Sequence, residues 1–306
     1  MHVRPIAALT LLALFPACRP HDAGTSAPSV NEERGVPCGP LDCRQFDSLA
    51  EAFESTLVGK PRLIAVGEAH AQRGTTVPSS ARRFTEQVLP KLAGRASDLL
   101  VELMNPPSGC APTTEVVRQK QEVVTRAQAP TDQGEYVAMG ERARQLAIVP
   151  DLLRPSCADL DGVKAAGDDA VVASLAMIAR LTREQAKKLL DRDAKAPGDA
   201  DKMVVTYGGA IHNDLDPPKE RSAWSFAPDL DAYTQGRFVA VESFVPELID
   251  DSDTWKRRSF YAPYVAMRAA HQDAKTTVFR DGKTFVIVLP PGAPSPDVAR
   301  APEGKR

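Results

Sequence analysis

The sequence predicts an α/β fold: a mixed, mostly parallel sheet flanked by helices, with a C-terminal β-hairpin. Three observations carry this. Two apolar, strand-like runs, 62–66 and 203–207, each end in Gly-x-x-His, at Gly67 to His70 and at Gly209 to His212. Helical periodicity separates the strand-like runs, as an α/β alternation requires. Residues 276–289 hold two β-branched runs around Asp281-Gly282, a favoured type I′ hairpin turn.

The elements follow in order. Ser48 and Glu51 have capping-box spacing and open a helix through Thr56. The first strand, 62–67, precedes a loop with Gly74 and Pro78 and a helix over 80–93, which Pro90 kinks or ends early. The run 97–104 is a second strand with Glu102 inside it. A Pro/Gly/Cys loop over 105–113 leads to helices over 114–129 and 133–146. A short third strand is expected at 147–149, before Pro150, with Cys157 to Leu160 as a further strand piece ending near Asp159. Helical spacing dominates 167–193, where Thr182 and Gln185 have the spacing of a second capping box and a new helix start. An exposed turn at 194–200 precedes the second Gly-x-x-His strand. Residues 214–228 are an irregular, Pro-rich stretch suited to covering a cleft. Phe238 to Val245 is a strand, and a helix over 263–271 ends in His271, a position the helix macrodipole favours.

Composition narrows the function. Lys plus Arg at 38 against Asp plus Glu at 40 leaves no basic excess for nucleic acid. The N-terminus is a targeting segment: a short polar start with His2 and Arg4, an apolar run 6–15 too short to span a membrane, then Pro16-Ala17-Cys18. A small residue directly before Cys resembles a bacterial lipobox, although Phe15 and Pro16 depart from the usual pattern. The expected organisation is therefore a lipoprotein-type signal peptide over 1–18, ending at a lipidated Cys18, and a flexible tether over 19–45. An α/β domain over 46–289 and a disordered tail over 290–306 complete it. His21 falls in the tether and is expected to do no chemistry.

Four cysteines remain after Cys18: Cys38, Cys43, Cys110 and Cys157. An even number in an exported chain suggests two disulfides. Cys38 and Cys43 are close enough to close a small loop, leaving Cys110 with Cys157, and the crossed pairings stay open. The spacing lacks the paired Cys-x-x-Cys knuckles of a zinc site.

The chemistry is expected where the strands end, because open α/β sheets bind ligands beyond the carboxyl ends of their strands. His70 and His212 supply metal ligands or bases near neutral pH. Glu68, two residues before His70, can orient the ring, bind a metal or hold a water. Glu102 ends a neighbouring strand and is expected in the same crevice. Asp159 and Asp214 are weaker candidates, and Glu242, inside a strand, is expected to be paired on one face.

Val66-Gly67-Glu68-Ala69-His70, Leu100-Val101-Glu102 and Gly209-Ala210-Ile211-His212 together resemble the paired Gly-x-x-His superfamily. That group includes the Tiki/TraB proteins, the erythromycin-esterase-like enzymes and the ChaN-like haem-binding lipoproteins. The resemblance implies an α/β core with both histidines and Glu102 in one cleft. Tiki-like members are regarded as metal-dependent proteases, whereas erythromycin esterases activate water with Gly-Glu-x-x-His, one residue longer than Gly67 to His70. Arg73, Arg142 and Arg144 are the candidates for the family's arginine.

The expectation is a cell-envelope lipoprotein, lipid-anchored through Cys18, that hydrolyses an ester or amide bond of a small-molecule or peptide substrate. Its catalytic residues are Glu68, His70, Glu102 and His212. His70, His212 and Glu102 are the expected ligands of a divalent metal (zinc, manganese or cobalt) whose bound water attacks. The alternative is a haem- or iron-binding lipoprotein without catalysis, with Tyr207 or a histidine as axial ligand. A third reading is a binding module that kept the fold and lost the activity.

Overall fold

The computed structural model describes residues 34–292. The signal peptide, Cys18, residues 19–33 of the expected tether and residues 293–306 lie outside them. The described residues build one nine-stranded sheet in the order β1-β2-β8-β9-β7-β3-β6-β4-β5. Its parallel part comprises β3 (Leu63–Glu68), β4 (Ala96–Met104), β5 (Val149–Leu153), β6 (Met203–Gly209), β7 (Phe238–Phe244) and β9 (Thr284–Val288). The antiparallel part joins β1 (Val36–Gly39), β2 (Cys43–Phe46) and β8 (Thr276–Asp281) to β9. The mixed, mostly parallel sheet and its C-terminal hairpin are as the sequence predicts.

The central strands are apolar because both their faces are covered. Every residue of β3 is buried. Alternation sends Ile64 and Val66 into one core, with Phe53 of α1 (Leu49–Thr56), Phe84 of the segment after α2 (Ser80–Arg83) and Met139 of α4 (Asp132–Gln145). Leu63 and Ala65 enter the other, with Val117 of α3 (Ala111–Thr125), Leu160 of α5 (Cys157–Ala165), Met177 of α6 (Ala170–Asp193) and Leu230 of α7 (Ala227–Tyr233). A third, smaller cluster packs Phe244, Phe260 and Phe279 beneath α9 (Tyr261–Ala269), which follows the short α8 (Asp253–Lys256).

β3 and β6 are adjacent and parallel, with Gly67 beside Gly208 and Glu68 beside Gly209. The two Gly-x-x-His turns therefore leave the sheet side by side and level. β4 flanks β6 on its far side, with Val101 beside Tyr207, which brings Glu102 to the same end.

Several expectations need correction. Residues 36–39 and 43–46 are strands, not tether; the Cys38–Cys43 disulfide closes their hairpin and β2 pairs with β8. Cys110 joins Cys157, so the uncrossed pairing holds. Cys157 begins a helix, not a strand: Ser156 and Asp159 form a reciprocal capping box that starts α5. The third strand runs through Pro150, tolerated because β5 is a sheet edge. α3 starts at Ala111, inside the stretch read as loop. Helix α6 continues past Thr182, whose side chain is buried and does not cap. The segment with Pro90 leaves α-geometry, with a π turn over Phe84–Val88 and a 3-10 turn over Leu89–Leu92, because proline gives no N–H to the turn before it. In the C-terminal hairpin Asp281 pairs with Thr284, so Gly282 and Lys283 form the turn. Gly282 has φ +61° and Lys283 is not in the left-handed region, the pattern of a II′ turn and not of I′.

Candidate active site

Glu68 is the last residue of β3 and is 3% exposed. A carboxylate this deep needs donors. Tyr207 of β6 donates its hydroxyl to Oε2 at 2.7 Å, and Tyr136 of α4 donates to Oε1 at 2.9 Å. His70 presents Nδ1 to the same Oε1 at 3.3 Å, and the Tyr136 hydroxyl lies 3.3 Å from that nitrogen. Burial, and then the Glu68 charge, push both phenols well above their usual pKa, so they remain donors.

The chain after His70 is pinned to the start of α4. Arg73 N–H donates to Ala127 O, Ala129 N–H donates to Ala71 O, and Gln72 bridges Gln128. This explains why a helix distant in sequence supplies Tyr136. It also brings in Asp132, the first residue of α4.

The His70 side chain keeps 26% of its surface exposed. Burial disfavours its charged form, but the Glu68 carboxylate beside it, helped by Glu102 and Asp132, more than offsets this and raises its pKa to about 9. His70 is therefore an imidazolium at neutral pH. Burial raises Asp132 to about 7 against the pull of the His70 charge, with Glu68 and Glu135 adding repulsion.

His212 sits in the opposite kind of environment. It ends a 3-10 turn over Ala210–His212 and is 2% exposed. Its Nδ1 lies 2.7 Å from the Trp224 carbonyl, which only accepts, so Nδ1 carries the proton and donates. In the neutral ring Nε2 is then the basic nitrogen, and it lies 3.6 Å from Glu102 Oε1. The 214–228 stretch is held against this histidine: Phe226 N–H and Ser225 Oγ–H both donate to the His212 carbonyl.

The glycines allow these approaches. A Cβ on Gly67 would lie 2.6 Å from Ala210 Cα, so the second motif packs directly on the first. Gly208 leaves room for the Glu102 side chain, which would meet any Cβ there. Glu102 Oε2 accepts the Gly209 N–H at 2.7 Å. The point where a Gly209 Cβ would stand is 3.3 Å from His70 Nε2, 3.8 Å from Glu102 Oε2 and 3.8 Å from His212 Cδ2. One methyl-sized space thus separates the two imidazoles.

The structure brings together Glu68, His70, Glu102 and His212, all four expected catalytic residues. Tyr207 is close by but 1% exposed, with its hydroxyl committed to Glu68, so it does not fit the expected role of axial haem ligand. Among the described residues no three His, Cys, Asp or Glu side chains gather as ligands. His212 Nδ1 and Glu102 Oε2 take main-chain partners, and His70 Nδ1 faces Glu68, so the Nε2 atoms of the two histidines are the nitrogens a metal would use. Asp159 is the N3 residue of the capping box that starts α5 and pairs with Arg180. Asp214 accepts the N–H of Asp216. Glu242 is buried against Arg258, paired as expected, and His271 lies just beyond the end of α9. Arg73 donates to the Arg126 carbonyl and Arg142 to Gln145, neither of them a site residue. Tyr136, Asp132 and Asn213 are the site residues that sequence reasoning missed. For Asn213 the available signal was Gly67, where a Cβ would stand 2.7 Å from its Nδ2.

No family model and no curated protein matches the chain. Among solved structures it is similar to an erythromycin esterase mutant in its open conformation, at 9% identity and TM-score 0.43, covering 83% of this chain and 98% of that one. It is also similar to a Bacillus cereus protein at 10% identity and TM-score 0.39, covering 80% and 92% of the two chains. A type III effector is similar at 13% identity and TM-score 0.35, covering 76% and 88%.

Proposed function

We propose that the protein is a hydrolase of the paired Gly-x-x-His superfamily that cleaves an ester or amide bond with side-chain acid and base groups. The observation that carries this is the pair of imidazoles facing one small space over Gly209 from unlike environments. His212 Nε2, its tautomer set by the Trp224 carbonyl, takes a proton from water as the water oxygen bonds to the acyl carbon. Glu102 stands next to the resulting imidazolium. His70 is the charged partner: its Nε2–H stabilises the developing oxyanion and then protonates the leaving alkoxide or amine as the acyl bond breaks. Glu68, held by Tyr136 and Tyr207, orients His70 through Nδ1.

The test is a screen of ester and amide substrates with wild type, His70→Ala and His212→Ala, each after chelation. Activity that survives chelation and falls in both variants supports the reading. Activity unchanged in both variants, or abolished by chelation and restored by zinc, manganese or cobalt, overturns it. We infer also that the chain is anchored in the cell envelope through Cys18, on the strength of the leader sequence. Loss of membrane association in Cys18→Ala is the expected result, and an unchanged distribution would refute the anchor.

A further inference from the structure

Asn213 follows His212 and is 2% exposed. Its Nδ2 donates to two strand carbonyls, Ala65 O at 3.2 Å and Val241 O at 3.4 Å. Those acceptors fix which way the amide points. The Oδ1 atom is then left buried without a hydrogen-bond partner among the described residues. An acceptor buried in this way is costly unless a donor reaches it.

A second gap lies beside it. His212 Nε2 and Glu102 Oε1 are 3.6 Å apart, too far for a direct hydrogen bond. Polar groups at such a separation are commonly bridged by water. His212, Asn213 and Glu102 line one small cavity together with Thr182, Thr206 and Phe226. Its volume is about 10 Å³, the scale of a single water.

We propose that this cavity is a binding site for one water molecule, which donates one hydrogen to Asn213 Oδ1 and the other to Glu102 Oε1. Thr182 and Thr206 line the same space. The ligand class follows from the lining. Asn213 Oδ1 and Glu102 Oε1 are both acceptors, so the occupant is a hydrogen-bond donor or a small cation, and a space of about 10 Å³ is the scale of one water. This water is not the reacting one, since it donates to Asn213 and Glu102 and leaves the His212 Nε2 lone pair to the water that reacts. It fixes Glu102 against His212, which makes Asn213 a positioning residue. That functional consequence rests on the hydrolase reading, whereas the water site stands without it.

A crystal structure of the mature protein at about 1.2 Å, where amide and water assignments become direct, tests the site. The expected result is one ordered water at about 2.7–3.2 Å from both Asn213 Oδ1 and Glu102 Oε1. It should persist when crystals are moved between sodium, potassium and ammonium salts. A dry cavity, a water that does not touch Asn213, or an occupant that exchanges with the salt cation would each overturn the proposal. With a cleaved substrate in hand, Asn213→Ser is expected to lower kcat about tenfold at unchanged KM, assayed well below a Tm that itself falls because Ala65 O and Val241 O lose their donor. A kcat loss that only tracks a falling Tm would refute the positioning role. If no substrate is cleaved, the crystallographic result still decides the water site, so the two readings fail separately.

Discussion

Tyr207 donates its buried hydroxyl to Glu68 Oε2 at 2.7 Å, across the two strands that carry the Gly-x-x-His turns. The bond ties the core to the chemistry, because Glu68 in turn orients His70. Tyr207→Phe leaves a buried carboxylate oxygen without its donor. The expected cost is about 1.5–3 kcal/mol of unfolding free energy, the range for hydrogen bonds to charged groups. Glu68→Gln in the same background should recover part of it. Denaturant unfolding of the two single variants and the double variant closes the cycle, and purely additive losses would disprove the coupling.

The charge on His70 makes stability depend on pH with a definite sign. Its pKa is raised from 6.5 to about 9, so the folded state binds this proton more tightly than the unfolded chain does. The stabilisation is complete below about pH 6.5 and is lost as pH rises through about 9. Asp132, raised to about 7, acts with the same sign at lower pH: stability falls between about pH 4 and 7 as the buried acid is made to ionise. Unfolding free energies at pH 6 and pH 10 should differ more in wild type than in His70→Ala. Asp132→Asn should flatten the slope below pH 7. Parallel curves for all three proteins would rule the assignment out.

The contrast between His212 and Tyr136 shows what a sequence can disclose about this site. His212 was legible because strand, glycine and histidine are contiguous, and a β-strand end has a known relation to the crevice. Tyr136 was not, since its approach to Glu68 depends on the 126–129 segment pairing with 71–73, a contact between stretches with no local signature. β3, β4, β6 and β7 were legible for the same reason as His212: buried parallel strands are continuous apolar runs. Thr182 and Asp159 show the limit of local motifs. Both have capping spacing with a partner three residues away, yet only Asp159 belongs to a capping box, because continuous apolar spacing carries α6 through Thr182 into its second half. The hairpin of β1 and β2 was hidden by its polar, Pro- and Gly-bearing composition. A disulfide and pairing to β8 hold it in place of a hydrophobic face.

The two disulfides should differ in worth. Cys110 and Cys157 are 47 residues apart, and Cys38 and Cys43 are 5 apart. Loop-closure entropy then assigns about 4 kcal/mol to the first and about 2 kcal/mol to the second. The longer link also fastens the start of α3, just after β4 and Glu102, to the start of α5. Replacing Cys110 and Cys157 by Ser should therefore lower Tm more than replacing Cys38 and Cys43. The reverse order would show that the N-terminal hairpin is the larger contributor.

Gly208 and Gly209 are adjacent, yet alanine should act on them through different routes. At Gly208 the new methyl would stand 2.7 Å from Glu102 Cβ, so the carboxylate must leave its bond to Gly209 N–H and both stability and turnover fall. At Gly209 the backbone, at φ −67° and ψ 136°, suits any residue. The methyl there occupies the space between the two imidazoles, 3.3 Å from His70 Nε2. Gly209→Ala should therefore fold nearly as well as wild type and lose about 100-fold or more in kcat/KM, the scale of a misplacement near 1 Å at a reacting centre. Circular dichroism melting beside substrate turnover separates the two variants. A Gly209→Ala protein that keeps full activity would mean that the reaction does not take place between His70 and His212.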